Sequence, residues 1–140
     1  MMVTLEQART VIAATLQTGA KMGLKPLSVA VLDAGGHLIA FERQDGASPG
    51  RYAIAQGKAY GAVMLGMPGS AQMARADQQA YFMAAVNGVF GGQVVPVPGG
   101  ILIKDGETVV GAIGVTGDTS ENDAEAGLAG LAAAGLVGVA

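Results

Sequence analysis

Cysteine and tryptophan are absent from this 140-residue chain, and histidine occurs once. The first absence excludes disulfides, thiolate nucleophiles and Cys-ligated metals or clusters, and the single imidazole excludes a multi-histidine metal site. Aromatics are scarce, three Phe and three Tyr, so the stacking platforms of single-strand nucleic-acid binders are missing. Residues 105–140 carry six acidic and no basic side chains, against eight basic and five acidic over residues 1–104. That imbalance, with a net charge of −3, argues against a nucleic-acid partner. No apolar run reaches the roughly 18 residues that a membrane span needs. The closest approach is residues 126–140, fifteen uncharged residues of which six are Ala and four Gly. Such small residues suit tight helix packing, and the tail reads as a buried terminal helix. The first residues show no basic cluster followed by an apolar stretch and a small-residue cleavage site, so the expected compartment is the cytoplasm.

What is present fits one domain over residues 1–140, long enough to bury a core. Thr4 and Gln7 have capping-box spacing, and Leu5, Ala8, Ile12 and Leu16 follow near helical period, which predicts a helix over residues 4–22. Residues 27–33 and 37–43, separated by Ala34-Gly35-Gly36, read as two strands of a hairpin. In the second, His37, Ile39, Phe41 and Arg43 are expected on one face and Leu38, Ala40 and Glu42 on the other. Helices are predicted over residues 51–65 and 70–85, divided by Pro68-Gly69. Residues 87–100 hold five glycines and two prolines and read as a long loop, of the kind that often carries function. Asp105-Gly106 between residues 101–104 and 107–116 is the strongest hairpin signal. Glu121, Asp123 and Glu125 place negative charge at the start of a last helix near Ser120. The expected fold is α+β, an antiparallel sheet flanked by helices in the order α-β-β-α-α-β-β-α, with a further strand considered at residues 94–97.

His37 offers a neutral imidazole nitrogen, a common axial ligand of haem iron; the alternative is a partly exposed histidine at a hairpin mouth with no ligand. Lys58 has apolar or small helix neighbours in Ile54, Ala55, Gly61, Ala62 and Leu65. If its amine is buried it needs a ligand carboxylate, Asp45 or Asp33 as partner; otherwise the stem packs and the amine reaches the rim. Arg43, beside Asp45 at a strand exit, could grip a carboxylate with both arms of its guanidinium or close an internal ion pair. Gly111, Gly114 and Gly117 do not form the dinucleotide fingerprint and suggest close backbone approach instead. Anions at the start of the last helix would be opposed by Asp118, Glu121 and Asp123. Met64, Met67, Met73 and Met83 fall on the two middle helices, where adaptable packing is the ordinary role and lining a flat apolar ligand the alternative.

The segment Val31-Leu32-Asp33-Ala34-Gly35-Gly36-His37-Leu38-Ile39-Ala40-Phe41-Glu42-Arg43-Gln44-Asp45-Gly46-Ala47, followed by Ala55-Gln56-Gly57-Lys58-Ala59, resembles the GlcG/HbpS-like (haem-degrading) family. So do Gly91-Gly92, Pro96 and Gly111-Ala112-Ile113-Gly114-Val115-Thr116-Gly117 with Asp123 behind them. The resemblance covers nearly the whole chain. It implies a profilin-like, five-stranded antiparallel sheet with helices on both sides, and self-association as a dimer or a larger assembly such as an octamer. Some members bind haem; others belong to operons for glycolate, diol or aromatic-compound breakdown.

Together these readings favour a homo-oligomeric binding protein for haem or another small anionic ligand. Its site is expected between the sheet and the middle helices, with polar contacts from Lys58, Arg43 and His37, the last as iron ligand, and apolar walls from Tyr52, Tyr60 and the methionines. The competing reading is a small isomerase or hydrolase of organic-acid or aromatic catabolism using Lys58 or Asp45 as acid or base, although no nucleophile with a base and an orienting group is visible. A third is an oligomeric scaffold without ligand.

Overall fold

Thr4 begins the first helix as its spacing with Gln7 predicts. Its hydroxyl accepts from the Gln7 N–H at 3.0 Å, and the Gln7 side-chain oxygen accepts from the Thr4 N–H at 2.9 Å. The computed structural model describes all 140 residues. Helix α1 (Leu5–Lys21) leads into β1 (Ser28–Asp33) and β2 (Leu38–Arg43), then α2 (Arg51–Leu65), α3 (Gly69–Gln78), α4 (Ala80–Val89), β3 (Gly100–Asp105), β4 (Thr108–Thr116), α5 (Ser120–Ala133) and β5 (Val137–Val139). The five strands form one antiparallel sheet in the order β2-β1-β4-β3-β5. No helix is long and apolar enough to cross a membrane.

Strand alternation sorts the sheet into two faces. Val29, Val31, Ile101, Ile103, Ile113 and Val115 enter a core with Val11 and Ile12 of α1 and Ala126 and Leu131 of α5. Leu32, Leu102 and Ala112 face α2 through Ala59 and Ala62. Each fully buried aliphatic side chain contributes about 1.5–3 kcal/mol, and the first face carries most of them. The second face is thin because backbone lies on backbone. Gly100 and Gly114 are register partners, and a Cβ on Gly114 would collide with the Ala55 carbonyl while one on Gly100 would collide with that of Lys58. The close approach expected from the glycine spacing brings α2 down onto the sheet.

The expected fold class is observed, with three local differences. Residues 70–85, predicted as one helix, divide at Gln79 (φ −138°, ψ 63°). The Gln79 N–H closes α3 on the Arg75 carbonyl, and its own carbonyl accepts the N–H of Phe82 and Met83 at the start of α4. The tail is not helical to its end: α5 stops at Ala133, Gly135 turns the chain at φ +72°, and β5 pairs with β3 as Leu102↔Val139, Ile103↔Gly138 and Lys104↔Val137. The fifth strand is thus C-terminal, while residues 94–97 remain irregular and lie along α2 through the Val95 N–H to the Gly57 carbonyl. In β2, Leu38 pairs with Leu32 and Ala40 with Val31 across a bulge. The extra residue, Ile39, moves Leu38 and Ala40 to opposite faces, against the simple alternation.

Candidate functional site

Asp33 ends β1 and folds the Gly-rich turn back on itself. Its Oδ1 accepts the N–H of Gly35 and of His37, each at 2.9 Å, as a short acid in a turn does, and lies 3.3 Å from Nδ1 of the His37 ring. The His37 N–H, then that of Gly35, hold the Asp33 carboxyl below its usual range against a desolvation effect of opposite sign. The His37 side chain is 81% exposed, so with Nδ1 turned to Asp33 the far nitrogen, Nε2, is free for an outside partner. Gly36 between them is buried, and a Cβ there would meet the Met64 methyl at 2.7 Å and the Tyr60 ring at 3.4 Å. Tyr60 stacks edge-to-face with Phe90, centroids 6.0 Å apart. On the other side of the turn an open groove of about 410 Å³ is lined by Met1, Met2, Val3, Asp33, Gly35, Ile39 and Val110, among others.

Arg43 and Tyr52 lie elsewhere. Arg43 is at the opposite end of β2, six residues and roughly 20 Å along an extended strand from His37, exposed and in none of the molecule's ion pairs. Tyr52, in the first turn of α2, meets Phe41 edge-to-face at 4.8 Å. The residues expected around one ligand therefore form two groups, His37 with Tyr60 and Met64 at one end of β2, and Arg43 with Tyr52 at the other.

Lys58 belongs to neither. It is 2% exposed, with its amine donating to the Val115 carbonyl at 2.9 Å and to Asp123 Oδ2 at 3.2 Å. The partner is neither Asp33, which is committed to its own turn, nor Asp45, which is exposed. Asp123 is 1% exposed, and its Oδ1 accepts the Asp118 N–H at 2.9 Å. Desolvation lowers the Lys58 pKa and raises that of Asp123, and their mutual attraction opposes both shifts. This pair ties α2 to β4 and α5, and Lys58 lines none of the five main grooves. An acid or base role for it at the surface has no geometric support.

Three residues escaped the sequence reading in these roles. Asp33 lies 3.3 Å from the His37 ring, and its spacing of four across a Gly-Gly turn could have shown it. Asp123 was read as a helix-start acid and as part of the family resemblance, not as the partner of Lys58, because a contact 65 residues away leaves no local signal. Arg51, which donates to the Thr116 hydroxyl at 2.7 Å, looks in sequence like any helix-start cation. No three or more His, Cys, Asp or Glu side chains gather in a way that could hold a metal ion by themselves.

Solved structures share this architecture. That of PduOC in complex with haem has a TM-score of 0.87 at 19% identity over 98% of both chains. That of Klebsiella pneumoniae ORFY has 0.86 at 24% identity, over 95% of this chain and 90% of its own. HbpS gives 0.80 at 30% identity, over 94% of this chain and 89% of its own. No curated protein matches in sequence. The sequence model of the haem-degrading HbpS-like proteins matches residues 3–132, and the chain belongs to that family.

Proposed function

We propose that this protein binds haem, or a similarly flat ligand bearing carboxylates, at the β1–β2 turn, with His37 Nε2 as the iron ligand. The observation that carries the reading is the Asp33–His37 pair, in which Nδ1 of an exposed ring lies 3.3 Å from the carboxylate, at a turn whose Asp33 and Gly35 border an apolar groove. A carboxylate behind a ligating histidine orients the ring and raises its basicity. One histidine with no metal-binding cluster around it suits a metal that arrives with most of its ligands, as haem iron does in its porphyrin. Ile39 and Val3 would cover one part of a flat ligand and Tyr60 and Met64 the flank beneath Gly36. Bound there, haem would supply redox chemistry or ligand sensing, and the chain's part would be to hold and orient it. Family membership and the haem complex of PduOC support the same ligand class.

The protein is also proposed to self-associate through α4. Of the other helices and strands α4 touches only α3. Tyr81 and Val89 are 73% and 78% exposed, and residues 78–103 carry no charge.

Haemin titration followed by visible absorption tests the ligand assignment. Wild type is expected to give a saturable Soret change that His37→Ala loses, while Asp33→Asn weakens affinity about tenfold or more. Equal affinity and an identical band in all three proteins would overturn it.

A further inference from the structure

Helix α4 is joined to the rest of the molecule at few points. No helix or strand other than α3 comes against it, and Tyr81, Ala84, Ala85, Gly88 and Val89 leave its outer face exposed. Each end is a bend. At the first, Gln79 breaks the helical backbone at φ −138° and ψ 63°. At the second, Gly91 and Gly92 stand at φ +68° and +79°, and a Cβ on Gly92 would meet nothing within 4 Å. Glycine passes between such backbone conformations without steric cost. Helix α3, by contrast, is anchored: a Cβ on Gly69 would collide with the Val97 carbonyl, and the fully buried Gln72 donates to the Met67 carbonyl at 2.9 Å.

Three ties hold α4 inward. Met83 is buried. The Asn87 side-chain oxygen accepts the Val94 N–H at 2.8 Å, which fastens the returning loop to the helix. Phe90, just past the last turn, meets the Tyr60 ring edge-to-face with the two planes at 82°. Tyr60 in turn occupies the space into which a Gly36 side chain would project, its ring 3.4 Å from a Cβ placed there. Gly36 is the residue before His37. A line of contacts thus runs from the end of α4 through one aromatic pair to the β1–β2 turn.

We propose that α4 is a hinged helix, opening and closing as a unit about Gln79 and Gly91-Gly92, and that Phe90 on Tyr60 is the latch through which its position reaches the histidine turn. With α4 closed, Phe90 backs the Tyr60 ring against the Gly36 backbone. With α4 open, the ring loses its backing and the turn that carries His37 loses its floor. Segments that open locally are those with few buried contacts, and α4 alone among the five helices packs against a single neighbour. Because α4 is also the helix proposed for self-association, a second copy seated on its outer face would hold the latch closed. By reciprocity, a partner bound at the turn would favour association. The hinge itself needs neither haem nor any other ligand.

The test is amide hydrogen exchange of the full chain, followed by mass spectrometry at a dilution where the rates no longer depend on protein concentration. α4 is expected to exchange faster than α5, which packs against α1 and the sheet. Phe90→Leu should speed exchange in α4 about two- to tenfold, the worth of an edge-to-face pair, and leave α5 unchanged. In NMR spectra the Gly36 amide and the His37 ring should shift in Phe90→Leu, while the Arg43 amide at the other end of β2 should not. Asn87→Ala, which cuts only the tie to Val94, should also speed exchange in α4 and takes the place of Phe90→Leu if that variant folds poorly. The proposal is overturned if α4 exchanges no faster than α5, if both helices speed up together as in unfolding of the whole chain, or if Gly36 and His37 do not respond to loss of the Phe90 ring. No haemin is added at any stage, so failure of the hinge and failure of the iron assignment are told apart.

Discussion

At the scale of single residues, Lys58 and Asp123 carry the most consequence for stability. A buried pair broken on one side leaves an uncompensated charge, which costs about 3–5 kcal/mol. Lys58→Met and Asp123→Asn are each expected to lose stability of that order in denaturant unfolding, and a double replacement by Met and Leu to recover much of it. A second acid, Asp118, is held down to about 2 from an ordinary 3.8, first by the Asn122 side-chain amide and then by the N–H groups of Lys25 and Thr119. A carboxyl depressed on folding stabilises the fold above its unfolded pKa and ceases to do so as pH falls through the folded one. Wild type should therefore lose part of its stability as pH falls from about 4 to 2, and Asp118→Asn should flatten that limb in acid titration followed by circular dichroism. The sequence showed that Lys58 sits on an apolar helix face and needs a partner. It could not show which acid answers it, because Asp123 becomes a neighbour only once α5 has crossed the sheet.

Among the elements, the contact of α2 with the sheet rests on glycine. Gly114→Ala would drive a methyl into the Ala55 carbonyl, and backbone cannot step aside as a flexible side chain can. The expected cost is about 1–3 kcal/mol or more, measured as a fall in melting temperature, whereas Gly92→Ala meets nothing and strains only its own backbone at φ +79°. β5 covers the open edge of β3, and removing residues 137–140 should promote association of that edge, visible as aggregation on heating. Helices and hairpins with local signals were legible: the Thr4 capping box, the Asp105-Gly106 turn with Gly106 at φ +61°, and α2 to its ends. The break at Gln79 was not, because no glycine or proline marks it. β5 was not, because Val137-Gly138-Val139 continues an Ala- and Gly-rich run and becomes a strand only through the free edge of β3.

For the whole molecule, composition and pattern sufficed for the antiparallel layered architecture, but not for how the candidate residues would be shared out. Strand alternation put His37 and Arg43 on one face; the bulge at Ile39 breaks that alternation, and the length of β2 puts the two at opposite ends of the strand. A single ligand between sheet and middle helices is replaced by two separated ends, one with the Asp33–His37 pair and one with Arg43 and Tyr52. The uncharged α4 is the contact proposed for self-association. Tyr81→Asp with Val89→Asp should shift the protein to monomer in light scattering without changing its helical signal, and an unchanged mass would exclude α4 from the interface. Because His37 is the only histidine in the chain, the haem assignment can be tested at the iron itself. Electron–nuclear double resonance of the ferric haem complex would compare unlabelled protein with protein carrying 15N-histidine. A nitrogen coupling that changes on labelling is the expected result, and a complex whose axial couplings are identical in both would contradict ligation by His37.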